Sequence, residues 1–278
     1  MNTSRPTALA LLSASALLTS CGPVEQTPDD PLEGWSLVWS DEFDGPAGQA
    51  PDDANWNYDV GGDGWGNDQL EFNTDRPENV SLDGQGNLAI TARLEPFMGN
   101  AFTSGRITTA GKVEAEYGRV EARILLPEGR GIWPAFWMLG SNFEEVGWPQ
   151  CGEIDIMEYL GQDPGIVFGT VHGPGYSAGD SIGEKTAVSG GAAGAFHVYS
   201  IEWEEDEIRW YVDDVLYNTF TKGDVPVNGR WVYDHPHYLI LNVAVGGTLP
   251  GNPDASTQFP QSMLVDYVRI YERDGDGS

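Results

Sequence analysis

The residues best placed to do chemistry are three carboxylates in Gly152-Glu153-Ile154-Asp155-Ile156-Met157-Glu158-Tyr159, where they interleave with aliphatic side chains. In an extended strand residues i and i+2 share a face, so Glu153 and Asp155 point together while Ile154 and Ile156 point the other way. Glu158 lies five positions after Glu153, which a regular strand would turn toward the aliphatic face. A β-bulge at Ile156-Met157 restores the register and brings all three acids to one surface. The glutamates are then roughly 13 Å apart between Cα atoms. By leaning together over a concave sheet they approach the ~5 Å carboxyl separation of retaining glycosidases. Crowding three acids raises at least one pKa, leaving a neutral proton donor beside an ionised nucleophile, and the shorter Asp155 is placed to hydrogen-bond one glutamate. An E-x-D pair alone is usually a solvated strand face; the apolar flanks argue against that here.

Such acids must be held by strands. The chain has 36 Gly, 18 Pro, 10 Trp and 11 Tyr and lacks long amphipathic helical patterns, which favours an all-β, two-sheet sandwich. Alternating runs predict strands at Trp35–Trp39, Gly86–Arg93, Thr103–Thr109, Tyr117–Pro127, Ile166–Gly173, Phe196–Trp203, Ile208–Val215, His237–Val245 and Met263–Tyr271. Asp213-Asp214 suits a tight hairpin turn. Residues 177–195, rich in Gly, Ala and Ser, read as a mobile loop at a cleft edge. Upstream of the acids, Gly131–Gly140 carries Trp133, Phe136 and Trp137, and aromatic faces bind the C–H faces of sugar rings. Trp133 and Trp137 share a face of a regular strand, and Trp148 in the following Gly147-Trp148-Pro149 loop is a further platform.

E-I-D-I-M-E following W-P-A-F-W-M resembles glycoside hydrolase family 16, in particular its laminarinase-like β-1,3-glucanases, and the similarity runs from about Trp35 to Tyr271. The resemblance implies a concanavalin A-like jelly roll with an open substrate cleft on its concave face, and retaining hydrolysis of internal β-1,3 bonds of laminarin-like glucans. Glu153 would then be the nucleophile, Glu158 the acid/base and Asp155 the support of Glu153. It also implies cleft positions for Asn67, in a segment similar to G-N-x-E-L-Q, for Arg106 of T-S-G-R, and for His172 of T-V-H-G. Gln69 and Glu71 stand in the reverse of the usual Glu and Gln order, so no role carries over to them. Several relatives hold a structural calcium with acids matching Glu42 and Asp266; the chemistry itself needs no metal or organic cofactor. The same fold acting on mixed-linkage β-1,3-1,4-glucan or a galactan, and a non-catalytic glucan-binding module, are the alternatives.

With 43 acidic against 14 basic residues the net charge is −29, which counts against nucleic acid and anionic polysaccharide as partners and leaves neutral β-glucan acceptable. Arg5, the apolar stretch Ala8–Leu18 and Leu18-Thr19-Ser20-Cys21 read as a signal peptide over residues 1–20, ending in a lipobox-like motif that makes Cys21 a lipidation site. That predicts export and a bacterial lipoprotein whose only membrane contact is its lipid anchor. Residues 21–34 form an acidic, proline-rich tether, and residues 35–273 a single catalytic domain, expected to be monomeric. Lipidation of Cys21 leaves Cys151 without a disulfide partner.

Overall fold

The computed structural model describes Met1 and residues 32–275. The rest of the 1–20 leader, Cys21 and the tether up to residue 31 lie outside the described residues.

Two sheets pack face to face, antiparallel throughout except where Glu71–Asn73 runs parallel to Asn100–Ser104. The acid strand, Glu153–Tyr159, lies inside an eight-stranded sheet ordered Ile182–Ala187, Ile166–His172, Glu153–Tyr159, Ile132–Gly140, His237–Val245, Arg106–Thr108 and Asn57–Tyr58, with Glu114–Ala115 beside His237–Val245. The ten-stranded partner runs Val215–Thr221, Glu207–Val212, His197–Glu204, Gly118–Leu125, Gln261–Arg273, Leu88–Phe97, Asn100–Ser104 and Glu71–Asn73. Trp35–Asp41 pairs with Gln261–Arg273, and Val80–Leu82 with Leu88–Phe97. This is a two-sheet sandwich, as the alternating runs predict, with the jelly-roll form that the family resemblance implies.

Strand alternation builds the core directly. Val120, Ala122, Ile124, Ile201, Trp203, Ile208 and Trp210 face inward from one sheet, and Ile132, Phe136, Met138, Ile154, Leu239, Leu241 and Val243 from the other. Truncating a fully buried member such as Ile154 to Ala would cost about 2–5 kcal/mol.

The bulge falls where the acid spacing requires it. On one side Trp137 pairs with Asp155 and Phe136 with Met157, skipping Ile156. On the other, Asp155 pairs with Thr170 and Glu158 with Phe168, so three steps on one strand meet two on its neighbour. Ile156 and Met157 both enter the core as a result, and Glu158 returns to the face of Glu153. The indole of Trp210, from the opposite sheet, donates to the carbonyl of Asp155 at 2.8 Å, so the core itself braces the irregularity. Gly169 makes room, because a Cβ there would lie 2.5 Å from Trp210 Cδ1.

Two expectations change. Thr103–Thr109 is two strands, Asn100–Ser104 and Arg106–Thr108, which belong to different sheets. They break at Gly105, where a Cβ would meet Val80 Cγ2 at 2.2 Å. Residues 177–195 are not one loop: Ile182–Ala187 forms the edge strand of the acid-bearing sheet, zipped to Ile166–Val171. Glu42 is held by Arg269 through two bonds of 2.9 and 2.8 Å, and Asp266 by Arg123 at 2.7 Å. Each of these two carboxylates thus has an arginine partner. The hairpin at Asp213-Asp214 is as predicted, with φ of 49° and 60° at the two residues.

Candidate active site

Glu153, Asp155 and Glu158 share the outer face of the eight-stranded sheet, opposite His172, Thr170 and Phe168 of the next strand. Gly152, at φ 78°, turns the chain into the acid strand, and a Cβ there would come within 2.9 Å of Val232 O. The donors to the acids come from the neighbouring elements. Trp148 Nε1 donates to Glu153 Oε2 at 2.6 Å, and Trp133 Nε1 to Glu158 Oε1 at 3.0 Å. His172 brings Nε2 to 3.1 Å from Asp155 Oδ2 and 4.0 Å from Glu153 Oε1, and its ring lies 5.9 Å from that of Trp148.

These surroundings set the acidity. Burial, then the charge of Asp155, pushes Glu153 up to about 8, opposed by His172 and the Trp148 indole. Burial lifts Glu158 to about 7, with His172 and Trp133 opposing and Glu153 adding to the rise. Asp155, the most enclosed, is driven well above the carboxylate range by burial and then by Glu158. Three acids in one apolar site cannot all ionise, so the cluster keeps a proton at neutral pH. Glu153 and Glu158 rise to similar extents; burial alone does not tell nucleophile from acid.

Beyond the acids, Trp137 and Arg106 form a second group. Trp137 Nε1 donates to Asn242 Oδ1 at 2.8 Å. The Arg106 guanidinium stands 4.9 Å from the Trp137 ring centroid and 4.7 Å from that of Trp65, and is fixed by Asp59 at 2.9 Å. Arg106 therefore has a carboxylate partner and an aromatic sandwich at once. Asn67 is exposed; its carbonyl accepts the Thr248 N–H at 2.8 Å, and Gly247 lies between it and the Trp133 ring. Trp133 is only 8% exposed while Trp148 is 42% exposed, so Trp148 presents the larger free aromatic surface. On the far side of the acids a hollow of about 320 Å³ is lined by Phe168, Thr170, Ser181, Gly183, Glu184 and Lys185. A larger one, about 750 Å³, lies by Ser40–Asp44 and holds none of the acid strand.

All six predicted contact residues thus belong to strands or loops bordering the acid-bearing face. Sequence reasoning passed over Asn242, Asp59 and Trp210. Asn242 had a signal: it is a lone amide in Leu239-Ile240-Leu241-Asn242-Val243, in phase with the outward-facing Ile240 and Ala244. Asp59 and Trp210 had none, because their partners are remote in sequence.

A two-sheet β sandwich carrying a carboxylate trio and indole donors on one open face defines a carbohydrate-active protein of the jelly-roll class. Residues 56–269 match the description "Glycosyl hydrolases family 16", and the chain belongs to that family. It is 44% identical to a β-glucanase of Rhodothermus marinus over 92% of both chains. Among solved structures it is similar to the laminarinase catalytic domain of Thermotoga maritima MSB8, at 50% identity and a TM-score of 0.81 over 86% of this chain and 98% of that one. The endo-β-1,3-glucanase of Pyrococcus furiosus superimposes with a TM-score of 0.82 at 47% identity, over 86% of this chain and 95% of that one.

Proposed function

We propose that this chain is a retaining endo-β-1,3-glucanase acting on laminarin-like glucans, with Glu153 as nucleophile and Glu158 as acid/base. The observation that carries the reading is the bulge: it sets both glutamates on one face, each with an indole donor on one oxygen. Trp148 occupies Glu153 Oε2, which leaves Oε1 to attack the anomeric carbon. Trp133 occupies Glu158 Oε1, which leaves the transferable proton on Oε2. In the first step the C–O bond to the leaving sugar breaks as Glu158 gives that proton to its oxygen, and a glycosyl ester forms on Glu153. In the second, Glu158 takes a proton from water, whose oxygen displaces Glu153. The order of roles within E-I-D-I-M-E comes from the family resemblance. Trp65, Trp137 and Arg106 make an aromatic and cationic wall suited to the apolar faces and hydroxyls of neutral glucose units.

Incubation with laminarin, lichenan, agarose and carrageenan, with sizing of products, tests this. Short β-1,3 oligomers released from laminarin across the whole time course support it. Preferential cleavage of lichenan or agarose reassigns the linkage, and tight binding with no new reducing ends makes the chain a glucan-binding module.

The lipobox-like ending at Cys21, with the acidic tether behind it, supports display as a membrane-anchored bacterial lipoprotein. Cell fractionation of wild type and Cys21→Ser tests that; wild type recovered soluble and unlipidated refutes it.

A further inference from the structure

The tautomer of the histidine beside the acid cluster is set from outside the cluster. His172 pairs across the strands with Glu153. Its Nε2 stands 3.1 Å from Asp155 Oδ2, a close approach that is not aligned as a hydrogen bond, and that buried oxygen has no hydrogen-bond partner. The other ring nitrogen, Nδ1, receives the backbone N–H of Ala178 at 3.1 Å. A backbone N–H can only donate, so Nδ1 must offer its lone pair. The proton of the neutral ring is then on Nε2, because the tautomer follows from the partner of the opposite nitrogen.

We propose that the backbone N–H of Ala178 is a positioning group of this site, which fixes the tautomer of His172 and keeps the ring proton on Nε2, the nitrogen nearest Asp155 and Glu153. The proposal deepens the glycosidase reading and rests on it for its purpose. It also separates two uses of the same side chains. Glu153, Asp155 and His172 have ligand atoms within 4.8 Å of one another, the composition of a metal site. A metal-bound histidine gives its lone pair to the ion and donates its other N–H to an acceptor. Here the second nitrogen meets a donor, so a metal on Nε2 would leave the ring proton nowhere to go unless the Ala178 contact broke. The ring is held in the tautomer that does not suit ligation through Nε2.

The segment bearing Ala178 is tied down well enough to do this. Gly173 and Tyr176 exchange backbone hydrogen bonds of 2.8 and 3.0 Å. The Tyr176 hydroxyl donates to Arg230 O at 2.9 Å, and the Tyr233 hydroxyl to His172 O at 3.0 Å. Ala178 itself sits at φ 50°, a region that non-glycine residues seldom occupy, so its amide is aimed at His172 against local preference.

The test is ¹⁵N NMR of the full chain labelled at histidine, which has four such residues, with His172 assigned by its loss in His172→Gln. Without substrate at neutral pH, His172 should show an unprotonated Nδ1 and a protonated Nε2, and added Zn²⁺ should leave its signals in place. Ala178→Gly keeps the N–H and should keep the tautomer. Ala178→Pro removes it and, with φ held at about −65° in place of 50°, also shifts this backbone away from His172; it should give mixed tautomers, with kcat down roughly tenfold and KM within about twofold. An Nδ1–H or doubly protonated ring in the wild type, stoichiometric Zn²⁺ binding there, or an unchanged tautomer in folded Ala178→Pro overturns the proposal. If Ala178→Pro does not fold, the wild-type and Ala178→Gly spectra still decide. Because the tautomer is read without turnover, an inactive protein with the expected spectrum would sink the glycosidase reading alone.

Discussion

Trp133 Nε1 donates to Glu158 Oε1 across 3.0 Å, so a residue of the kind that stacks on sugars also holds the proposed acid/base. The bond stabilises the ionised form and pulls against the burial that lifts Glu158 to about 7. Trp133→Phe keeps the ring and deletes the donor. A hydrogen bond to a charged group is worth about 1.5–3 kcal/mol, so the Glu158 pKa should rise by about one unit or more. The basic limb of kcat/KM against pH should move upward by the same amount. A limb that stays put or moves down would separate Trp133 from the protonation of Glu158.

Glu71 offers a second pH dependence, in stability rather than rate. It is fully buried, with Oε2 accepting the Val245 N–H at 2.8 Å and Oε1 without a partner. Burial, the largest cause, raises its pKa from 4.5 to about 7. The unfolded chain therefore loses this proton near pH 4.5, while the folded chain keeps it until about pH 7. Its stabilising effect is complete below the lower value and is lost as pH rises through the upper one, by about 3 kcal/mol. Glu153, Asp155 and Glu158 act in the same sense. Glu71→Gln, which retains an acceptor for Val245, should fall less in denaturant midpoint between pH 5 and 8 than wild type. Parallel curves would show that Glu71 is not the group responsible.

Much of this site can be read from the chain because its key geometry is local. The parity of Glu153, Asp155 and Glu158 demands a bulge, and the bulge is at Ile156-Met157. Trp133 and Trp137 fall on one face because four steps along a regular strand must do so. Pairing between distant segments leaves no such trace. Arginines claim Glu42 and Asp266 from another strand, and Trp210 reaches Asp155 through the core from the opposite sheet. Gly105 hides a change of sheet inside what reads as one alternating run.

The net charge of −29 makes stability depend on salt as well. Described arginines such as Arg119, Arg209 and Arg269 are already paired with acids, so most remaining carboxylates repel one another across the surface. Screening shortens that repulsion from a range of about 10 Å at 0.1 M salt to about 3 Å at 1 M. The Tm should rise over this range in NaCl. A flat response from low to molar salt would mean that the surface acids are too dispersed to matter.

The two glutamates should prove inequivalent, since double displacement uses Glu153 once as nucleophile and Glu158 twice, as acid and then as base. Each alanine variant should lose about 10²-fold or more on laminarin. A β-glucan oligomer with a good aryl leaving group separates them, because that leaving group needs little protonation. Glu158→Ala should still be glycosylated by it and then stall for want of a base, whereas Glu153→Ala lacks the attacking oxygen. Azide reports the face of attack. With Glu158→Ala it intercepts the glycosyl-enzyme and should yield the β-glycosyl azide; with Glu153→Ala it fills the space of the lost carboxylate and should yield the α-azide from a β-aryl glycoside. Reversed products would exchange the two roles, and wild-type rates in both variants would place the chemistry off this strand.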